Sequence, residues 1–282
     1  MSAGSQSRRA PLALSAYAFL VYAFLYFPII VLVVYSFNGS GVGGFPPARW
    51  TLDWYRQLFG DGALWEAVRN SVVVAAVAVA IALGLGLPAA LALDRTDFPG
   101  KALFRRLVLL PLILPGIITG LSLLMLFVAV GMNLNLVTIT LGHGTALISV
   151  ATTEIFAGLQ KLERAQEEAS LDLGANHWQT FWRVTLPNLR VSLVAAGLLI
   201  FTLSLDEIAV SFFLIGRDNT LPLEIWSRLR RGITPEINAI STLILVFSIG
   251  MILLWYRLRT RLQRADESAA PLEPASIEGE TA

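Results

Sequence analysis

The chain has 282 residues, 55% of them hydrophobic and only 15% charged, with a mean hydropathy of +0.66. That charge content lies well below the roughly 25% of soluble domains, so the composition excludes an ordinary soluble domain and points to a polytopic membrane protein. Twenty-one Lys and Arg balance 20 Asp and Glu, leaving no global field for nucleic acid, and the lack of cysteine excludes disulfide and thiolate chemistry.

Crossing ~30 Å of hydrocarbon at ~1.5 Å per residue takes about 20 apolar residues in helical form. Six runs meet that length, near 14–37, 68–93, 107–130, 137–159, 191–215 and 237–256. The first follows Arg8 and Arg9 as a signal peptide would. It is too long for a signal h-region, and no A-x-A site follows at 37–40, so it is expected to be a retained anchor.

Next comes a segment, 38–66, with Gly39, Gly41, Gly43, Gly44, Pro46 and Pro47, then Trp50, Trp54, Tyr55 and Trp65. A turn-rich start followed by aromatics suits a stretch at headgroup level. In the second run Gly84, Gly86 and Pro88, and in the third Pro111, Pro115, Gly116 and Gly120, predict helices that either kink or pack closely on neighbours. Thr152, Thr153 and Glu154 make the fourth run the most polar. Beyond the sixth, residues 265–282 are rich in Pro, Ser, Ala and Glu and are expected to be disordered.

Lys and Arg sort unevenly among the connecting segments. Both termini, 95–106 and 161–190 together hold fourteen, whereas the opposite set holds seven, including the cluster Arg228, Arg230 and Arg231. The richer side, with both termini, is expected to be cytoplasmic.

The hydrophilic segment between runs four and five reads EASLDLGANHWQTFWRVTLP over 168–187. Helix formers at 164–173 place Ala165, Ala169 and Leu173 near one face, with Glu167 and Glu168 off it. Gly174 permits a turn, and Asn176 is a good N-cap for a second short helix presenting Trp178, Phe181 and Trp182, closed by Pro187. Such a bent pair suits insertion into a partner's groove or, alternatively, lying in the headgroups with its tryptophans down.

The spacing of this segment, E-A-S, three residues, Gly174, nine residues and V-T-L-P, resembles the E-A-A cytoplasmic loop of permease subunits in binding-protein-dependent ABC importers. AFLYFPIIVLVVYSFN, TLDWYRQLF, ALWEAVRNSVVVA, LLPLILPGIITGLSLL, FTLSLDEIAVSFFLIG and TLPLEIWSRLRRGITPEINAIST are similar to the second permease subunit of spermidine/putrescine importers, over about 16–255. Ser170 replaces the second alanine of E-A-A, and Ser149 stands where such permeases often have proline.

The resemblance implies an all-α, six-span membrane protein of the type I ABC importer permease fold. An N-terminal cytoplasmic tail at 1–13, a transmembrane domain at 14–260 with a coupling loop at about 160–190, and a tail at 261–282 would compose it. It further implies that Glu168, Ala169, Ser170, Gly174, Trp178, Leu186 and Pro187 dock an ATPase. Two ATP-binding subunits, a second similar permease, a periplasmic binding protein and membrane lipid are the expected partners, in a bacterial inner membrane. Importers of iron, sulfate, thiamine and amino-acid-like compounds share the layout, so the cargo stays open, as does a membrane enzyme or scaffold working without an ATPase.

Asp206 and Glu207 are expected on a regular helix in run five, roughly 13 Å below its outer end. An acid at mid-span costs about 2.5–3.5 kcal/mol on insertion scales, so the pair needs compensation. A salt bridge or polar contact at a subunit interface would supply it, and so would a cation in transit. Glu154 is a third acid at membrane depth. Catalytic chemistry has no candidates: His143 and His177 lie 34 positions apart, no metal cluster forms, and Gly100-Lys101 lacks the other phosphate-loop residues. The chain is expected to carry no cofactor, with Mg-ATP on the partner ATPase.

Overall fold

The computed structural model describes residues 6–40, 47, 49–232 and 234–250, with side chains from Leu14 onward. Among them every named element is a helix, and the chain divides into two units, Met1–Gly60 with Ile233–Ala282, and Asp61–Gly232.

In the first unit α1 spans Gln6–Tyr35, and its Leu14–Tyr35 part is long and apolar enough to cross a membrane. The helix starts before the expected run and stops two residues short of Phe37. Its end is clasped by the segment that follows. Ser36 Oγ lies 2.6 Å from the Tyr55 hydroxyl, and Trp54 Nε1 donates to the Asn38 carbonyl at 2.9 Å. An isolated bridge, Asn38 to Trp50, is closed by Gly39 N to Arg49 O and Thr51 N to Phe37 O, both 2.8 Å. The short helix α2 (Asp53–Gly60) is thereby held near α1. Trp54 and Tyr55, expected in a headgroup belt, have protein partners instead, whereas Trp50 is 63% exposed.

The second unit is built on α3 (Gly62–Arg95), capped by Asp61, whose carboxylate accepts from Leu64 N at 3.1 Å. Ala75, Ala78, Ala82, Gly86 and Ala90 recur at helical spacing and are buried, while Val72, Val73 and Val77 face outward. Between helices in lipid there is little hydrophobic drive, so close van der Waals approach of small residues carries the packing. A Cβ at Gly86 would stand 2.5 Å from Ala151 Cβ and 3.1 Å from Thr152 N. Pro88 sits inside α3 without ending it.

The third run behaves differently. α4 (Lys101–Ile113) and α5 (Gly116–Ala129) are bent by 109° at the break. The ring of Pro115 drives Leu114 out of the helical region, to ψ 134, so one expected span is two helices. α6 (Leu136–Ala146) and α7 (Ile148–Leu159) meet at Leu147 and together cover the fourth run.

Three elements bridge the fourth and fifth runs: α8 (Arg164–Asp172), α9 (His177–Thr180) and a π-helical turn at Phe181–Thr185. The fifth run is α10 (Leu186–Leu205) followed, after a non-helical stretch at 206–208, by α11 (Ala209–Leu214). Asp206 and Glu207 therefore do not lie on a regular helix, and the expected 100° separation of their side chains does not apply. One core joins α3, α7 and α10 through Ala82, Ala90, Ala151, Ile155, Leu189 and Ile200. A second joins α3, α5, α6 and α11 through Val74, Phe127, Ile139, Val210 and Leu214.

At the far end of α3, α12 (Leu221–Arg231) is pinned by Arg228, which pairs with Asp61 at 2.7 Å and Glu224 at 2.9 Å. Burial pushes the Asp61 carboxyl up, but the Leu64 N–H and the Arg228 guanidinium outweigh it and hold it below the usual carboxylate range. Arg228 of the basic cluster with Arg230 and Arg231 thus serves an internal contact.

α13 (Pro235–Gly250) belongs to the first unit and is the described part of the sixth run. Among the described residues four helices are long and apolar enough to cross a membrane, or five if the bent α4–α5 pair is one span. Gly41, Gly43, Gly44, Pro46, the basic residues at 257–264 and the 265–282 tail lie outside the described residues.

Candidate functional site

α8 ends where its sequence provides a stop. Gly174 adopts φ +88, a region costly for L side chains. Its N–H donates to Leu171 O at 2.9 Å while Ala175 N donates to Ser170 O at 3.1 Å, the paired bonds of a Schellman cap. Two residues on, Asn176 starts α9 in a reciprocal capping box: Gln179 N donates to Asn176 Oδ1 at 2.8 Å and Asn176 N donates to Gln179 Oε1 at 2.9 Å. The bend expected at Gly174 and the cap at Asn176 are both present.

Pro187 does not close this second helix. It sits in the first turn of α10, and His177–Leu205 runs as one 29-residue helix. Proline removes the N–H that would reach the Arg183 carbonyl, and its ring crowds the preceding turn. The π-helical turn at 181–185, with Leu186 N bonded to Phe181 O, supplies the wider loop that accommodates it.

Glu167 anchors α8 to the helices. Its carboxylate lies 3.0 Å from Arg95 at the end of α3 and accepts from Thr185 Oγ1 at 2.6 Å. Arg95 and Glu167 side chains are only 20% and 17% exposed, so the pair is largely sheltered from screening. Arg95 also pairs with its neighbour Asp94 at 3.2 Å, and Gln160 and Arg164 reach Asp94 as well. Ser170 and Thr180 hydroxyls, 3.1 Å apart, join α8 to α9. Nothing in the sequence singled out Glu167 over Glu168, because the partners of Glu167 lie on other elements.

Other side chains of the knob have no such ties among the described residues. Glu168 and Ala169 are exposed, Leu173 is 89% exposed and Trp178 68% exposed. Trp178, Phe181 and Trp182 form a cluster with ring centroids 5.4–6.0 Å apart. Leu186 is half-buried and Pro187 exposed. A cavity of about 330 Å³ lies between the two short helices, with Arg95, Arg164, Glu167, Glu168 and His177 among its walls. An exposed apolar patch with the exposed carboxylate of Glu168 beside it is a surface of the kind that can receive a partner.

The acids of run five occupy a second arrangement. Asp206 caps the C-terminus of α10 and is exposed; half-buried Glu207 caps α11 by accepting from Val210 N at 2.8 Å. The two broken runs meet here. A Cβ at Gly116 would lie 3.1 Å from Ala209 Cβ and 3.5 Å from Glu207 Oε1, and one at Gly120 would lie 3.1 Å from Ala209 O. His143, 2% exposed, staples the break: its ring nitrogens lie 2.7 Å from Ser204 Oγ and 2.8 Å from Ser211 Oγ. Glu154 sits on α7, exposed and without an ion pair or hydrogen bond among the described residues.

Comparison with known proteins follows the same line. Residues 82–265 match the family of binding-protein-dependent transport system inner membrane components. The chain is 39% identical over 255 residues to the putrescine transport system permease protein PotI of Escherichia coli K12, covering 87% of this chain and 90% of that protein. To the spermidine/putrescine permease PotC of Haemophilus influenzae it is 36% identical, covering 85% and 93%. Among solved structures, a bacterial ABC transporter involved in import of the acidic polysaccharide alginate has a TM-score of 0.68 at 18% identity, covering 92% of this chain and 99% of that one. That likeness speaks to the fold alone.

Proposed function

We propose a role that starts from membership: this chain belongs to the inner membrane components of binding-protein-dependent transport systems, and within one it forms half of a pathway for polyamines of the putrescine or spermidine class. As a permease subunit of an ABC importer it is not itself an enzyme. In this reading a second, similar permease completes the pathway, two ATP-binding subunits drive it, and a periplasmic binding protein delivers solute. In the same reading, six spans within 14–260 put both termini on one side, and the excess of Lys and Arg there and in the 160–190 loop supports the cytoplasm as that side.

The observation that carries the reading is the exposed aromatic knob held on the helix ends through Glu167. Closure of the ATPases would push on Trp178 and Leu173, with Glu168 meeting a basic residue of the ATPase. Because His177–Leu205 is one helix, the push would pass along α10 to the break at 206–208. Replacing Gly174 by valine puts a β-branched residue at φ +88, costs about 1–2 kcal/mol and turns α9 away. Loss of ATPase co-purification with this variant is the expected result; wild-type association would remove the docking role.

Similarity to the putrescine permeases and the chemistry at the break support the cargo. Asp206 is exposed at the C-terminal end of α10, where helix carbonyls carry partial negative charge, a setting that draws cations. Proteoliposomes holding the assembled transporter are expected to take up labelled putrescine or spermidine with ATP. Asp206→Asn is expected to slow uptake about tenfold with assembly intact. Normal uptake by that variant removes Asp206 from the pathway, and a cognate binding protein that ignores polyamines assigns the same permease role to another solute.

A further inference from the structure

A second cavity, of about 520 Å³, opens between α4 and α7 at the same end of the unit as the docking knob. Lys101, Arg105 and Arg106 line it, and none of its lining residues is a carboxylate. Lys101 is partly neutralised by Asp97, 2.9 Å away. Arg105 and Arg106 have no ion pair among the described residues, and the Arg105 guanidinium stands 6.0 Å from the Phe156 ring centroid, at the cavity wall. Away from these cations the lining is mostly apolar, with Leu93 near the end of α3, Phe156 on α7 and Leu109 two turns into α4. Thr152 and Thr153, although lining residues, donate their hydroxyls to Ile148 O and Ser149 O of their own helix.

We propose that this cavity binds an anionic phospholipid, with the headgroup phosphate between Arg105 and Arg106 and the start of an acyl chain against Phe156 and Leu109. The level is right for it. The apolar run of α3 ends at Arg95, α4 begins at Lys101 and α7 ends at Leu159, so the cavity straddles the change from apolar to charged surface where headgroups lie. Basic pockets between spanning helices are suited to anionic headgroups, and each nearby cation contributes about fivefold in affinity. A free phosphate ion would gain nothing from the apolar wall, which favours the lipid as occupant. The assignment requires only that the chain sits in a membrane, not its orientation or cargo.

The test uses the assembled transporter in neutral detergent, offered equal phosphatidylglycerol and phosphatidylcholine, with bound lipid counted by native mass spectrometry. Phosphatidylglycerol is expected to dominate, and Arg105→Gln with Arg106→Gln to lower its occupancy about fivefold per cation, leaving phosphatidylcholine unchanged. Arg230→Gln with Arg231→Gln removes the same charge from α12 and is expected to have no effect. Equal loss in both variants, equal binding of the two lipids, or displacement of phosphatidylglycerol by inorganic phosphate would each overturn the site. So would binding by the isolated chain alone, which would mean that a protein partner covers the cavity.

Discussion

Glu167→Ala is expected to reduce ATP-driven uptake by at least about tenfold while the chain still inserts and assembles with its companion permease. The carboxylate joins Arg95 at 3.0 Å and Thr185 at 2.6 Å, so its loss unties α8 from the π-helical turn and leaves the longer 3.8 Å Arg164–Asp94 pair as its ion pair to α3. Leaving largely sheltered polar partners unpaired costs about 1–3 kcal/mol, and a loosened knob absorbs motion that should reach α10. Glu167→Gln keeps the bond from Thr185 and loses only the charge, so an intermediate rate is expected. Exchanging the two charges, Arg95→Glu with Glu167→Arg, should recover part of the activity.

Glu168→Ala separates anchoring from docking. Glu168 is exposed, so its removal should weaken affinity for the ATPase without moving α8. Excess ATPase is then expected to restore uptake in Glu168→Ala and not in Glu167→Ala. The measurement is ATP-dependent uptake in proteoliposomes at several ATPase concentrations. Wild-type uptake by Glu167→Ala would show that the tie is dispensable.

The second large effect is on stability. Gly86→Ala should lower the unfolding midpoint of the purified chain by about 4–8 °C, from an overpacking cost of about 2 kcal/mol. The added Cβ would meet Ala151 Cβ at 2.5 Å and Thr152 N at 3.1 Å, and Ala151 is fully buried. Neither a backbone nitrogen nor a Cβ can swing aside, so α3 and α7 must separate. Gly84→Ala is the internal control. Nothing lies within 4 Å of a Cβ there, and alanine favours the helix by about 0.8–1 kcal/mol, so an unchanged or raised midpoint is expected. Equal midpoints for the two variants would place the close contact elsewhere.

Local signals carried well from sequence to structure. Gly174 and Asn176 mark a stop and a start because a positive φ and a side-chain cap are properties of one or two residues, and the structure has both. Pro115 was legible as a disruption, but not as a 109° bend, since the angle depends on where α5 packs. Pro187 misled for a related reason. Proline ends a helix unless the preceding turn widens, and the π-helical turn at 181–185 is a tertiary accommodation with no residue signature of its own.

By itself, the sequence determined that the chain is membrane-embedded and helical, roughly where its apolar runs lie, and that a polar two-helix loop separates the fourth from the fifth. Those follow from composition, run length and capping chemistry, all local. Only the tertiary structure decided that Glu167 rather than Glu168 anchors the loop, through Arg95 seventy-two positions away. It likewise joined His143 to Ser204 and Ser211, 61 and 68 positions away, and set Asp206 and Glu207 at a break, with Glu207 beside Gly116, instead of on a regular helix. Partners that far apart are chosen by which helix faces pack together, and many pairings are compatible with the same apolar runs.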